Sequence, residues 1–178
     1  MNKEALDRLA RDCGFEHTAP LDASTLVLHR EVRDMCADNT CGQYEKRWSC
    51  PPGCGSLEEC AARIADYASG ILVQTVGEVE DSFDFEAMVE IEAVHKEHFT
   101  QMAQKLAEAG ADFLPLGAGC CKICRTCTYP DAPCRFPEKK ISSMEAYGLL
   151  VLDVCKANGM QYYYGSDHMA YTSCFLVK

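Results

Sequence analysis

The sequence predicts an α/β or α+β fold, a single domain over residues 1–178 with a mixed sheet of about four to five strands and about four helices. Two cysteine-rich loops are expected at strand-to-helix connections. Three observations support this reading. Short apolar runs alternate with amphipathic stretches that carry helix caps. No Pro/Gly/Ser-rich linker divides the chain. The residues are 48% apolar and 25% charged, a globular composition that can bury a core.

Asn2 to Cys13 reads as a short amphipathic helix, with Leu6, Leu9 and Ala10 on one face and Gly14 past its end. Thr25-Leu26-Val27-Leu28 reads as a strand, and a cysteine-rich loop follows from Val32 to Gly55. Ser56-Leu57-Glu58-Glu59 has the capping-box pattern and opens a helix to Ala68, with Ile64 and Tyr67 inward. Ile71 to Val76 is the clearest strand. Asp84 to Ala109 is the longest helix, with Phe85, Met88, His95, Phe99, Met102 and Leu106 on one stripe and Gly110 as its stop. Asp112 to Leu116 is a short strand leading through Gly117-Ala118-Gly119 into a second cysteine loop. Ser142-Ser143-Met144-Glu145 repeats the capping-box pattern and predicts a helix to Ala157. Met160 to Tyr164 and Ala170 to Val177 read as a closing hairpin.

Thirteen cysteines in 178 residues are the chemical anomaly. In a secreted mini-protein they would suggest disulfides, whereas in a reducing compartment they suggest metal or redox chemistry. The N-terminal Met1-Asn2-Lys3-Glu4-Ala5-Leu6-Asp7 carries acids where an export signal carries an apolar run, so the expected location is cytoplasmic. No apolar stretch approaches the roughly 18 residues needed to cross a bilayer, so no membrane association is expected. The net charge is -10, and residues 56 to 112 hold 13 acids against 3 bases. Residues 120 to 140 reverse this, with five bases against two acids. That patch is too local for a nucleic-acid surface. It suits offsetting an anionic metal centre or docking an acidic redox protein.

In the second loop the spacing is Cys121-x2-Cys124-x2-Cys127, followed by Cys134. Three thiolates so spaced can wrap one cuboidal cluster, and the expected cofactor is a [4Fe-4S] cluster. Zinc, the alternative, more often uses CxxC pairs set well apart. Cys120 is set aside, because adjacent cysteines rarely hold one centre, and is expected to be a packed thiol. Lys122, Arg125, Arg135 and the N-terminal end of a helix near Ser142 are candidates to offset the charge of a cluster. The first loop offers Cys36, Cys41, Cys50 and Cys54 as a looser second set, with Cys54 the least firm member. Trp48, the only tryptophan, sits beside Cys50-Pro51-Pro52 and could shield a centre from water. Cys60, Cys13, Cys155 and Cys174 fall in regular elements and are expected to pack in the core. Glu92-x-x-His95 would be half of a di-iron motif, but no second copy is present.

The chain resembles a family of cysteine-rich predicted metal-binding proteins found mainly in anaerobic bacteria and archaea. The resemblance rests on Trp48-Ser49-Cys50-Pro51-Pro52, on Cys121 to Pro130, on Pro133-Cys134-Arg135-Phe136-Pro137 and on Ser143 to Gly148. It implies a metal-binding protein, of iron–sulfur type, and no particular reaction. The favoured expectation is one or two [4Fe-4S] clusters in an electron-transfer or accessory redox role. The alternatives are an enzyme using an open iron of a three-cysteine cluster at the first loop, and a structural zinc-binding interaction module. No nucleophile–base constellation can be read from the residues.

Overall fold

Ser69–Glu78 and His168–Val177 pair antiparallel over ten residues, and this long ladder is the spine of the molecule. The computed structural model describes residues 1–178. In chain order its helices are α1 (Lys3–Asp12), α2 (Arg30–Ala37), α3 (Leu57–Ala65), α4 (Phe85–Glu108) and α5 (Val151–Ala157). The strands are β1 (His17–Asp22), β2 (Ser69–Glu78), β3 (Phe113–Gly117), β4 (Ser142–Ser143) and β5 (His168–Val177). They form one five-stranded sheet in the order β1-β2-β5-β3-β4, in which only the β3–β4 pair is parallel. The chain is therefore an α+β domain.

Both faces of the sheet are covered. Ile71, Val73, Phe175 and Val177 point to a core built with Leu6 and Ala10 of α1 and Phe99, Met102 and Leu106 of α4. Leu72, Cys174 and Leu176 point the other way, to Cys60 and Ile64 of α3, Val154 and Cys155 of α5, and Met144, Tyr147 and Leu149. Burial on both faces explains why Ile71–Val73 of β2 and Cys174–Val177 of β5 are continuous apolar runs, without the alternation of a half-exposed strand. Cys13, Cys60, Cys155 and Cys174 are all buried here. No helix is long and apolar enough to cross a membrane.

Four local expectations are corrected. Thr25 to Leu28 is not a strand: Ala23–Thr25 is a 3-10 turn capped by Asp22, and only Leu28 bridges to Leu149. The strand lies earlier, at His17–Asp22, where Pro20 is tolerated because β1 pairs on one side only. The closing hairpin is absent, because β5 already has β2 on one edge and β3 on the other. The Gln161–Tyr164 stretch instead satisfies buried Gln74, whose Nε2 donates to Gln161 O at 3.2 Å and whose Oε1 accepts from Tyr164 Oη at 2.6 Å. The helix expected from Ser142 does not start there. Ser142–Ser143 extends the sheet as β4, Ser143 Oγ accepts from Ala146 N at 3.0 Å to cap a 3-10 turn, and Gly148 ends that turn at φ 83°. The helical stretch resumes only at Val151. Finally, the first cysteine loop is interrupted by α2, so it joins α2 to α3, and the second joins β3 to β4.

Buried His95 on α4 has both ring nitrogens engaged, Nδ1 3.0 Å from Thr75 Oγ1 and Nε2 2.7 Å from Ser173 Oγ. Burial holds its pKa down at about 4, with His98 and Lys96 pushing the same way and Glu92 opposing them. Its unfolded value is near 6.5, so its contribution to stability is complete above that pH and is lost as pH falls toward 4. Denaturant titrations are expected to show up to about 3 kcal/mol lost over this window, and His95→Gln to flatten that part of the profile. Gly70 is equally constrained, since an added Cβ would lie 2.1 Å from Phe175 O on the partner strand. Gly70→Ala is expected to lower stability by roughly 1–3 kcal/mol, read as a lower denaturation midpoint.

Candidate metal centre

β3 delivers the chain through Gly117 to an irregular segment running to Pro137, and this segment is held by a distant piece of the first loop. Arg47 Nη1 donates to Cys121 O at 2.9 Å, and Cys121 N donates to Ser49 Oγ at 3.3 Å. Between them Trp48 Nε1 donates to Ala132 O at 2.9 Å, and its ring meets Tyr129 edge-on at 4.8 Å. Three consecutive residues thus clamp both ends of the second loop. Within that loop Thr128 Oγ1 donates to Pro133 O at 2.8 Å and Arg135 Nη1 donates to Thr126 O at 2.8 Å.

The clamp borders a small, shallow recess lined by Cys121, Cys124, Cys127 and Cys134, the four residues of the second-loop set. Arg47, Trp48, Ser49, Ile123, Phe136 and Lys140 complete its wall. No three Cys, His, Asp or Glu side chains close to the spacing of a single ion. All four thiols are half-buried. Burial works to raise the Cys127 thiol, yet it is lowered overall, because the backbone N–H groups of Trp48, Tyr129 and Thr128 and the Arg47 guanidinium favour its thiolate. Amide hydrogen bonds of this kind suit a sulfur that carries shared negative charge in a cluster. The donor set, the cationic wall and the indole cover therefore fit a thiolate-held cluster.

Cations expected to offset that charge are partly engaged elsewhere. Lys122 Nζ pairs with Glu92 at 3.0 Å, and Arg135 serves the loop's own backbone. Arg125 faces a neighbouring hollow with Arg47 and Cys127. No helix N-terminus lies at Ser142. Arg47 and Lys140 border the recess instead; Lys140 is one of the five bases read in residues 120 to 140, whereas sequence reading missed Arg47. Arg47 had one signal, its place directly before Trp48-Ser49-Cys50. Trp48 was associated with the first loop, whereas it covers the second.

The first-loop thiols are divided. Cys36 lies in the last turn of α2, and the chain then folds tightly: Asn39 N donates to Cys36 O at 3.1 Å, Tyr44 N to Asn39 Oδ1 at 3.0 Å, and Glu45 N to Pro51 O at 3.0 Å. Burial pushes Cys50 up to about 11, opposed by a hydrogen bond with Ser49, and the thiols of Cys120 and Cys41 add to the rise. Burial also raises Cys36, with Glu145 and Cys41 contributing. Cys41 is exposed. Cys54 has partners of its own. Its thiol is buried, faces Ala146 O at 3.5 Å, and lies 3.7 Å from Arg33 Nη1, which is also 3.8 Å from Cys60 Sγ. The neighbouring Cys54 thiol holds Cys60 below its ordinary value against the cost of burial, with Arg33 and Arg63 assisting, and Cys60 in turn raises Cys54.

The model of the family described as "Predicted metal-binding protein (DUF2284)" matches residues 19–177, and the chain belongs to that family. No curated protein and no solved structure matches. A metal-binding role is the property the membership carries.

The clamp predicts a specific lesion. Arg47→Ala removes a charged donor from Cys121 O and is expected to cost roughly 1.5–3 kcal/mol. Trp48 emission should shift to the red and become more accessible to acrylamide as the two loops part.

Proposed function

We propose that this predicted metal-binding protein is an iron–sulfur protein that holds a [4Fe-4S] cluster on Cys121, Cys124, Cys127 and Cys134 and serves electron transfer or an accessory redox role. One observation carries the reading: four thiols spaced for a cuboidal cluster line a single recess, with Arg47 and Lys140 in its wall. When bound, such a cluster supplies a one-electron couple. The protein's own residues do the rest. Arg47 and the amides of Trp48, Thr128 and Tyr129 favour the thiolate of Cys127, which supports binding an anionic group. Trp48 and Phe136 limit water at the recess.

The setting is a cytoplasmic one, and the partner is another redox protein. Ile123 and Phe136 are exposed at the rim of the recess, beside the bases of residues 120 to 140. An acidic partner would be steered to this rim by charge and seated by the apolar pair. The requirement for a substrate pocket is absent in a carrier of single electrons.

The test is iron and acid-labile sulfide quantification on anaerobically prepared protein, with a visible spectrum. About four irons per chain are expected for one cluster and about eight for two. Trp48 emission should be quenched on reconstitution and recover when the cluster is removed. A colourless protein with stoichiometric zinc and no sulfide would end the iron–sulfur reading in favour of a structural zinc module.

A further inference from the structure

In the first loop the Cys54 thiol is engaged by Ala146 O and Arg33 Nη1, which leaves Cys36, Cys41 and Cys50. A four-thiolate centre there needs one more sulfur. Cys120 is the unassigned cysteine of the second loop. It does not border the recess of Cys121, Cys124, Cys127 and Cys134, although Cys121, its immediate neighbour, does. Its thiol is half-buried, so it is not part of the packed core.

The docking of the two loops places it. Ser49 Oγ accepts from Cys121 N at 3.3 Å and lies 3.8 Å from Cys50 Sγ. Cys121 N belongs to the peptide that joins Cys120 to Cys121. One hydroxyl therefore touches both that peptide and the Cys50 thiol, and Arg47 fixes the far side of Cys121 through its carbonyl at 2.9 Å.

We infer that Cys120 is the fourth ligand of a second [4Fe-4S] centre formed with Cys36, Cys41 and Cys50, so that two successive residues serve two different centres. The inference rests on the iron–sulfur reading above and extends it. Sharing one cysteine-rich run between two clusters is chemically reasonable, since in two-cluster ferredoxins the fourth cysteine of a run ligates the other cluster. It also gives the molecule a function that a single centre lacks. Two centres bridged by the Cys120–Cys121 peptide form an internal relay, able to take an electron at one loop and release it at the other. Four protein ligands close the first centre, which opposes its use as a substrate-binding iron.

The experiment compares the full-length protein with Cys120→Ala, Cys120→Ser and Cys54→Ala, each reconstituted anaerobically with iron and sulfide. Far-UV circular dichroism checks the fold of each. The parent should bind about eight irons and, when fully reduced, show an EPR spectrum split by spin coupling between two near centres. Cys54→Ala should keep both properties. Both Cys120 variants should fall toward about four irons, or keep a first centre with one iron that a chelator removes, and the splitting should vanish or change. Unchanged iron, unchanged chelator resistance and an unchanged split spectrum in both Cys120 variants would overturn the inference. So would loss of the second centre in Cys54→Ala with retention in Cys120→Ser. A parent with about four irons and no coupling would also overturn it while leaving the proposed function intact, whereas a parent without sulfide would remove both.

Discussion

The ten-residue pairing of β2 with β5 is the constraint from which the rest of the architecture follows. Both strands are buried on both faces, so each face needs its own helical cover, and α1 with α4 and α3 with α5 supply them. With β3 on its other edge, β5 accepts no further strand, and the chain that precedes it must run as irregular backbone. β3 in turn offers its free edge only to the two residues of β4. The cysteine segment between β3 and β4 is thereby fixed at both ends by the sheet while remaining outside it.

That separation has a chemical use. A strand or helix spends its backbone N–H groups on its own ladder, leaving few to approach a sulfur. The segment around Cys127 spends few of them, and the amides of Thr128 and Tyr129 together with that of Trp48 favour the Cys127 thiolate. Irregular backbone is tolerable here because it is pinned at named points, by Arg47 and Ser49 at Cys121 and by Trp48 at Ala132 and Tyr129. The clamp residues lie more than 70 positions before the loop they hold, so the site forms only when the domain does.

Legibility followed the length and regularity of each element. The α3 capping box was readable because both of its hydrogen bonds are local, and α4 because four buried residues recur on one stripe over 24 residues. α2 was hidden for the opposite reason: eight residues with one buried side chain, Val32, and no capping side chain carry almost no periodicity. The Ser142 pattern misled because sheet pairing with Leu116 and Gly117 outweighed a local cap, and because Gly148 needs a left-handed backbone where an added Cβ would meet Leu57 Cδ2 at 2.7 Å. For the candidate centre, spacing alone grouped the second-loop cysteines, since their geometry is set within 14 residues. The cations were legible only in part: Lys140 lies in the basic patch, but Lys122 is diverted to Glu92 by α4, a tertiary event, and Arg47 arrives from another loop.

The same distinction explains the division among the less regular cysteines. Spacing places Cys54 beside Cys50 and therefore in the first-loop set, but three residues of turn between them suffice to point Cys54 inward. There Arg33 binds Gly55 O and Ala146 O at 2.7 Å each while contacting both buried sulfurs. An arginine with both its lower nitrogens anchored to carbonyls is a rigid neighbour, and the Cys54–Cys60 pair beside it is part of the wall between α2, α3 and the Tyr147 turn. Cys120 meets the opposite circumstance. It follows Gly119, whose φ of 71° turns the chain as it leaves β3, and the next residue, Cys121, donates its N–H to Ser49 beside Cys50. Sequence neighbours can therefore have different surroundings, because how the two loops dock, and not spacing alone, decides what each thiol meets.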